Sequence, residues 1–167
     1  MSLVKIRTGR EADVPALNGI YNHYVRETAI TFDIEPSSLE QRLEWFRKFE
    51  DRGRLQIVIA ESAGEVIGYA ATLPFRPKAA YETSVELTIY LKHDAESRGT
   101  GSLLYQELFA RLAGEDLNRL LAGMTLPNPG SRALHHKFGF RSIGVFHEVG
   151  RKFGRYWDVE WFEKALG

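Results

Sequence analysis

The residues with the clearest chemical potential form a short glycine turn, Arg98 to Ser102, with the sequence RGTGS. The segment before it, Ser84 to Leu91, is rich in valine, isoleucine, threonine and tyrosine, as buried strands are. The segment after it has leucines at 104, 108 and 112, which is the spacing of one helix face. A strand, a glycine turn and a helix start together expose backbone N–H groups at the positive end of a helix dipole, which favours phosphate.

Other nucleotide-binding turns fit this sequence less well than a simple phosphate cradle. A dinucleotide-binding turn would have a third glycine at position 104, where this chain has Leu104. A phosphate loop of the Walker type needs Gly-Lys-Ser or Gly-Lys-Thr, and the chain contains neither tripeptide. A plain strand-to-helix turn without a ligand remains open, because short glycine motifs are common by chance.

A second candidate is Glu86, a carboxylate in the middle of the predicted strand before the turn. Strand alternation places Glu86 on one face with Thr88 and Tyr90, and Val85 and its alternate neighbours on the other. A carboxylate in a core strand is costly unless it has a partner or a task. General burial rules favour a salt-bridged or edge-strand glutamate, so a task for Glu86 needs further support.

Composition limits the classes of function. The chain has 167 residues, 44% of them hydrophobic, which predicts a single packed domain over residues 1–167. Lysine plus arginine equals aspartate plus glutamate at 22 each, which argues against nucleic acids and anionic membranes as partners. Without cysteine there is no thiolate nucleophile and no cysteine-ligated metal, and we expect no metal. No signal peptide or long apolar run is visible, so we expect a cytoplasmic protein.

Periodicity and turn residues predict eleven elements in the order β-α-α-β-β-β-α-β-α-β-β, hence a mixed α/β fold with helices on the faces of a mixed sheet. Ser37 and Glu40 are a possible capping box for the second helix. The segment from Ala29 to Asp33 is predicted to be an exposed loop, and the segment from Ala63 to Glu65 a tight turn within a hairpin.

Several short motifs, taken together and in order, resemble the GNAT N-acetyltransferase superfamily, and within it the phosphinothricin acetyltransferases. The resemblance extends over nearly the whole chain, through IYNHYV at 20–25, TF at 31–32, AY and VE within 80–86, IY at 89–90, GTGSLLY at 99–105, LPN at 126–128, LHHKFGF at 134–140 and KFGRYWDV at 152–159. It implies the GNAT fold, acetyl-CoA as donor and a small amine or amino acid as acceptor.

The resemblance also assigns residues to the cofactor. It places the CoA pyrophosphate at the glycine turn and the rest of the cofactor along the predicted strand before it. One departure is Glu96, where the superfamily usually has glutamine or arginine, so that Arg98 would supply the positive charge. The complete set of assigned cofactor residues is Leu87, Thr88, Ile89, Arg98, Gly99, Thr100, Gly101, Ser102 and Asn128. For Asn128 a simple helix N-cap is the alternative.

For catalysis, the resemblance assigns the general base to Glu86 and a second proton-transfer role to His135. An alkyl amine is mostly protonated at neutral pH and needs a base before it can attack. A backbone N–H near Leu87 or Thr88 would stabilise the oxyanion. The chain has no G-x-S-x-G motif and no cysteine, which favours direct attack in a ternary complex. His135 could instead be a surface or capping histidine, with His136 as the functional one.

The acceptor site and the assembly follow from the same resemblance. Phe32 would border the acceptor pocket, and the alternative for it is a core phenylalanine. An acidic group of the substrate would be held by Arg76, Lys78 and Tyr81, for which a solvated basic loop is the alternative. A homodimer is implied, with an apolar interface or a core strand as the two interpretations of Tyr156, Trp157, Trp161 and Phe162.

Three rival functions make different demands on the sequence. An acetyltransferase of protein N-termini or lysines would need an open acceptor groove. A CoA-binding module without turnover would need neither Glu86 nor His135. A dinucleotide-binding fragment is opposed by Leu104 and by the long segment that precedes the turn.

Overall fold

The structure is a computed structural model that describes residues 3–95 and 99–167, and its centre is a seven-stranded mixed sheet with strand order β1-β2-β3-β4-β5-β7-β6. The elements are β1 (Val4–Thr8), α1 (Val14–Glu27), α2 (Leu39–Phe46), β2 (Ile57–Ser62), β3 (Glu65–Pro74), β4 (Ser84–Leu91), α3 (Thr100–Leu112), β5 (Arg119–Thr125), α4 (Pro129–Lys137), β6 (Arg141–Lys152) and β7 (Arg155–Ala165). Their order matches the predicted order, and the predicted mixed α/β fold is confirmed. None of the described helices is both long and apolar enough to cross a membrane.

The start of α2 differs from the prediction by one residue. Ser38, not Ser37, is the N-cap, and its hydroxyl accepts from the Gln41 N–H while the Gln41 side chain accepts from the Ser38 N–H. Ser37 is unavailable for capping, because its hydroxyl donates to the Asn18 Oδ1 atom of α1 at 2.7 Å and accepts from Arg42, while Asn22 holds its backbone N–H and carbonyl. The contact with α1 therefore sets the position at which α2 begins.

The first hairpin turns within the predicted segment, although Glu65 already belongs to β3. Ala63 and Gly64 both have positive φ, 51° and 82°, and they connect β2 to β3 as a two-residue turn. Turns of this kind match the right-handed twist of the strands that they join.

The sheet has a separate apolar core on each face. On one face α3 packs through Leu104, Leu108 and Leu112, which are fully buried, against Val85 and Leu87 of β4. On the other face α1 and α2 cover Ile57, Ile59 and Tyr69, with Tyr90 packed against them. The predicted alternation in β4 is therefore observed, and Glu86 shares its face of the sheet with Tyr90.

The pairing between β4 and β5 is the feature that creates the site. It is the sheet's parallel pairing, and its register runs only from Ser84 opposite Arg119 to Glu86 opposite Leu121. Both strands continue beyond that point, β4 to Leu91 and β5 to Thr125. The two strands part immediately after Glu86. Beyond that point, the edge of β4 that faces β5 and the edge of β5 that faces β4 have no neighbouring strand.

Candidate active site

A cavity of about 1000 Å³ opens where β4 and β5 part. Residues from both parted strands line it, including Glu86 to Leu91 of β4 and Ala122 to Thr125 of β5. It reaches the start of α3 and α4 on one face of the sheet, and α1, α2 and the loop between them on the other. Ligands that approach from opposite faces of the sheet can therefore meet beside Glu86.

Glu86 lies at the junction of these two halves and is partly buried. Burial raises the pKa of its carboxyl group, and the positive charge of Arg76 opposes part of that rise. No residue within 3–95 or 99–167 forms a salt bridge or side-chain hydrogen bond with its carboxylate. A carboxylate with raised pKa and free oxygens at a cavity is suited to accept a proton from a bound ligand.

His135, in α4, is 3% exposed and has both ring nitrogens within hydrogen-bonding distance of protein atoms. Its Nδ1 lies 2.7 Å from the Ser131 carbonyl oxygen, which can only accept, so Nδ1 carries the hydrogen. In the neutral ring Nε2 then accepts from the Tyr105 hydroxyl at 2.9 Å. Burial lowers the pKa of His135, which keeps the ring neutral at pH 7.

The glycine turn has the backbone conformation that the sequence predicts. Gly99 has a φ of 83°, in the left-handed region that favours glycine, and it is the N-cap of α3. The first helical hydrogen bond runs from the Leu103 N–H to the Gly99 carbonyl at 3.1 Å, so the preceding amides have no acceptor within the helix. The Lys137 ammonium, from α4, donates to the Ser102 hydroxyl at 2.7 Å. These features suit an anionic phosphate group.

Gly101 has close protein neighbours in addition to its place on the cavity wall. A Cβ atom added there would lie 3.3 Å from Leu134 and 3.6 Å from Ile89, which are protein side chains. Gly101 therefore also allows the close packing of α3 against α4 and β4. Thr100 is fully buried, whereas Gly99, Gly101 and Ser102 line the cavity. Glu96 and Arg98 lie outside the residues that the structure describes.

The other predicted cofactor residues lie on the cavity wall. Leu87, Thr88 and Ile89 line it as part of the unpaired edge of β4. Asn128 also lines it and is the N-cap of α4, where its Oδ1 accepts from the Ser131 N–H at 3.2 Å. The capping interpretation of Asn128 is thus observed, and its Nδ2 donates to no residue in the described part of the chain.

The predicted acceptor residues fall into two groups. Phe32 lines the cavity, and it packs so tightly on Gly150 of β6 that an added Cβ there would lie 2.1 Å from its ring. Arg76, Lys78 and Tyr81 are exposed in the loop after β3 and are not part of the cavity wall. The charge of Arg76 nevertheless acts on Glu86.

The loop that carries Phe32 is more firmly held than the sequence predicts. Thr31 is buried, its carbonyl accepts from the buried Lys152 ammonium at 2.8 Å, and its hydroxyl lies 2.8 Å from the Tyr21 hydroxyl. The Tyr21 hydroxyl in turn donates to Asp33 at 2.5 Å. The prediction of an exposed loop is wrong at Ala29 and Thr31, which are 7% and 8% exposed, and contacts from β6 and α1 hold Thr31 in the interior.

Sequence reasoning missed Arg42, Tyr105 and Lys137, all of which line the cavity. Arg42 falls three residues after Leu39 and four before Phe46, so a charged residue within the apolar stripe of α2 was the available signal. Nothing local marks Tyr105 or Lys137, whose polar partners are 30 and 35 residues away. In the described ranges no cluster of three or more His, Asp or Glu could hold a metal ion.

Comparison with known proteins agrees with this geometry. The model of the acetyltransferase (GNAT) domain matches residues 6–161. Phosphinothricin N-acetyltransferase of Streptomyces coelicolor is 51% identical over 165 residues, covering 98% of this chain and 96% of that protein. L-methionine sulfoximine/L-methionine sulfone acetyltransferase of Pseudomonas paraeruginosa is 33% identical, covering 96% of this chain and 94% of that protein.

A solved structure shares the fold throughout. It is a GNAT superfamily phosphinothricin acetyltransferase from Sinorhizobium meliloti, in complex with AcCoA, and superposes with a TM-score of 0.92 at 31% identity. The superposition covers 100% of this chain and 90% of that one. The chain belongs to the GNAT acetyltransferase family.

Proposed function

We propose that this enzyme transfers the acetyl group of acetyl-CoA to the amine of a small amino-acid-like acceptor, of the kind represented by phosphinothricin, methionine sulfone or methionine sulfoximine. The names of the relatives support this substrate class. The observation that carries the proposal is the parting of β4 and β5 beside Glu86. It lets a donor on the α3/α4 face and an acceptor on the α1/α2 face meet at one carboxylate.

The residues present fit the donor. The free amides at the start of α3 and the Lys137 ammonium would hold the phosphates. The unpaired edge of β4 at Leu87, Thr88 and Ile89 would hold the amide-containing arm, with Asn128 donating from the opposite wall. When bound, acetyl-CoA supplies an acetyl thioester.

Glu86 is the general base in this proposal. It accepts a proton from the acceptor's ammonium group, and the freed amine forms the new N–C bond as the C–S bond breaks. A backbone N–H of Leu87 or Thr88 stabilises the negative charge that develops on the carbonyl oxygen. The raised pKa of Glu86 brings its basicity closer to that of the group it must deprotonate.

His135 serves as the second proton-transfer group and acts through Tyr105. Its Nδ1 is committed to the Ser131 carbonyl, so the nitrogen that can exchange a proton is Nε2, which the Tyr105 hydroxyl contacts. Tyr105 and His135 both line the cavity, so a proton released by the attacking nitrogen can pass through the Tyr105 hydroxyl to Nε2, and CoA departs as the thiolate.

The acceptor is enclosed in this proposal. Phe32 and the firmly held residues beside it form one wall, which supports a small molecule over a protein tail. Arg76, Lys78 and Tyr81 would attract an acidic acceptor from the exposed loop at the mouth.

We also propose a homodimer. Five large apolar residues of the β6–β7 hairpin are more than half exposed: Ile143, Phe146, Val149, Phe153 and Tyr156. Phe162 is fully buried in the core, which favours the core-strand alternative for that residue and excludes it from the interface. Sedimentation at micromolar concentration should give twice the 19.0 kDa chain mass, and a single 19.0 kDa species would refute the dimer.

A thiol-release assay with acetyl-CoA tests the function. We expect turnover with phosphinothricin, methionine sulfone or methionine sulfoximine and little with peptides that have a free N-terminus or lysine. Turnover on peptides alone would favour the rival protein acetyltransferase, and CoA binding without any turnover would favour the binding module. A cytoplasmic location stays a prediction that cell fractionation can check.

A further inference from the structure

The buried residue of α2 is an arginine. Arg42 is 5% exposed, whereas Leu39 at the start of the same helix is 55% exposed. Surface helices normally bury leucine or a similar apolar residue against the sheet and leave cations in water. A buried arginine beside an exposed leucine reverses this pattern, which indicates that the guanidinium is buried for a functional reason.

The surroundings of Arg42 fix its plane. Its guanidinium carbon lies 4.2 Å from the ring centroid of Tyr21 and 4.6 Å from that of Trp45. Its Nη2 donates to the Ser37 hydroxyl at 3.2 Å. Two aromatic rings and one hydrogen bond hold the planar group in place before any ligand arrives.

What Arg42 lacks is an anion. Its buried Nε has no hydrogen-bond partner among the described residues. Across residues 3–95 and 99–167, no carboxylate oxygen lies within the 4.0 Å of a salt bridge to its guanidinium. Asp33, an acid on the same cavity wall, accepts from the Tyr21 hydroxyl instead. A buried charge without a counter-charge is unfavourable, so a bound anion would satisfy it.

The position of Arg42 selects the ligand. Arg42 lines the same cavity as Glu86 and is on the α1/α2 face, near Tyr21 and Tyr90. The other lysine or arginine on the described cavity wall is Lys137, which lies at the cofactor end and contacts Ser102. The acceptor half therefore has Arg42 as its cation and Glu86 as its proton acceptor.

From this arrangement we propose that Arg42 binds the carboxylate of the amino-acid acceptor and so makes the enzyme select amino acids over simple amines. This inference rests on the proposed function, because the acceptor is taken to be an amino acid. The guanidinium fork presents two parallel N–H donors to a carboxylate. Arg76 and Lys78, in the exposed loop, are then free for a second acidic group at the other end of the acceptor.

The test measures binding and turnover separately. Methionine sulfone and its carboxamide, which keeps the amine but lacks the carboxylate, are titrated by calorimetry into the CoA-loaded enzyme. The wild type should bind methionine sulfone more tightly than the carboxamide. Arg42→Met should bind methionine sulfone about tenfold or more weakly than the wild type does, while its affinity for the carboxamide should change little. The KM for acetyl-CoA should be unchanged.

Two further variants complete the experiment. Arg42→Lys keeps the charge but not the fork, and should recover only part of the loss. Arg47→Met removes an exposed arginine of the next turn and should change the affinity for neither ligand. Arg42→Met should melt at the same or a higher temperature than the wild type, because it removes an unpaired buried charge.

The outcomes separate the two proposals. If Arg42→Met loses affinity for both ligands equally and has a lower melting temperature, Arg42 only supports the fold. A wild type with no preference for the carboxylate would also overturn the inference. Binding that depends on Arg42 but leads to no thiol release would refute the proposed function and leave the carboxylate site standing.

Discussion

The Tyr105 hydroxyl and the His135 Nε2 atom lie 2.9 Å apart in the interior of the protein, where Tyr105 is fully buried. Burial raises the pKa of the Tyr105 hydroxyl and lowers that of His135, so both groups are neutral at pH 7. The hydroxyl therefore donates and the imidazole accepts, and this link connects α3 to α4 beneath the cavity.

Tyr105→Phe should cost about 1–3 kcal/mol of stability, because it leaves the buried Nε2 atom without a donor. If the proton route proposed above is correct, turnover should also fall at temperatures at which the variant is fully folded. Tyr156→Phe, at an exposed position, should change neither property. Thermal melting and thiol release measure the two effects, and full activity in folded Tyr105→Phe would remove Tyr105 from the proton route.

The lowered pKa of His135 gives stability a defined pH dependence. In the unfolded chain the imidazole binds a proton near its ordinary pKa of about 6.5, whereas the folded protein resists protonation until a lower pH. Between those values the unfolded state binds more protons, so stability falls as the pH falls, by at most about 1.4 kcal/mol per pH unit. Denaturant unfolding from about pH 7.5 to about pH 5.5 measures this slope.

A variant isolates this contribution. His135→Gln should have a shallower pH dependence than the wild type, while His136→Gln, at the exposed neighbouring position, should keep the wild-type slope. Parallel slopes for all three proteins would show that His135 does not resist protonation in the folded state.

Local features of this fold were predictable from the sequence. Alternation placed Glu86 opposite Val85 and Leu87, and the leucine spacing identified the buried face of α3, because strand and helix geometry fix these periods. The N-cap of α2 was misplaced by one residue, since the contacts of Ser37 with α1 leave no signal within the helix itself.

Long-range features were not predictable. The parting of β4 and β5, the burial of Arg42 and the bond between Tyr105 and His135 all depend on how distant segments pack. Whether Phe162 lies in an interface or in the core was not predictable for the same reason, because an aromatic strand has the same pattern whether it is packed inside or exposed. In the folded protein Phe162 pairs with Ala122 of β5, and both side chains are buried in the same apolar core.

The two glycines of the turn should respond differently to alanine. Gly99→Ala forces a side chain into the left-handed region and should cost about 1–2 kcal/mol. Gly101→Ala meets Leu134 at 3.3 Å but gains helix propensity, so its stability should change little. Gly101→Val should clash with Leu134 and Ile89 and cost about 1–3 kcal/mol.

Ligand protection separates packing from cofactor binding at these positions. Acetyl-CoA at about 100 times its Kd should stabilise the wild type by about 2.7 kcal/mol, and Gly101→Ala should keep that shift because its methyl group faces protein. Loss of the shift in a stable Gly101→Ala would show that the cofactor itself needs the glycine. A shift with NAD or ATP but none with CoA would overturn the assignment of the cofactor.

Glu86→Gln is the decisive test of the base. The amide keeps the shape of the carboxylate but accepts no proton, so turnover at pH 7 should fall by about 10²–10⁴-fold, or roughly 3–5 kcal/mol of barrier. The deficit should shrink from about pH 6 to about pH 10 as free amine becomes plentiful. Wild-type turnover should begin to fall at a higher pH than the ordinary glutamate pKa implies, because burial raises the pKa of Glu86.

Stability distinguishes this role from a structural one. A folded-state pKa above the unfolded value means that the native protein binds more protons, so the Glu86 charge lowers stability as the pH rises through that range. Glu86→Gln should therefore melt at the same or a higher temperature at pH 7, and Glu82→Gln, at an exposed position, serves as the control. If Glu86→Gln folds, binds CoA and turns over at nearly the wild-type rate at pH 7, the base is water or His135.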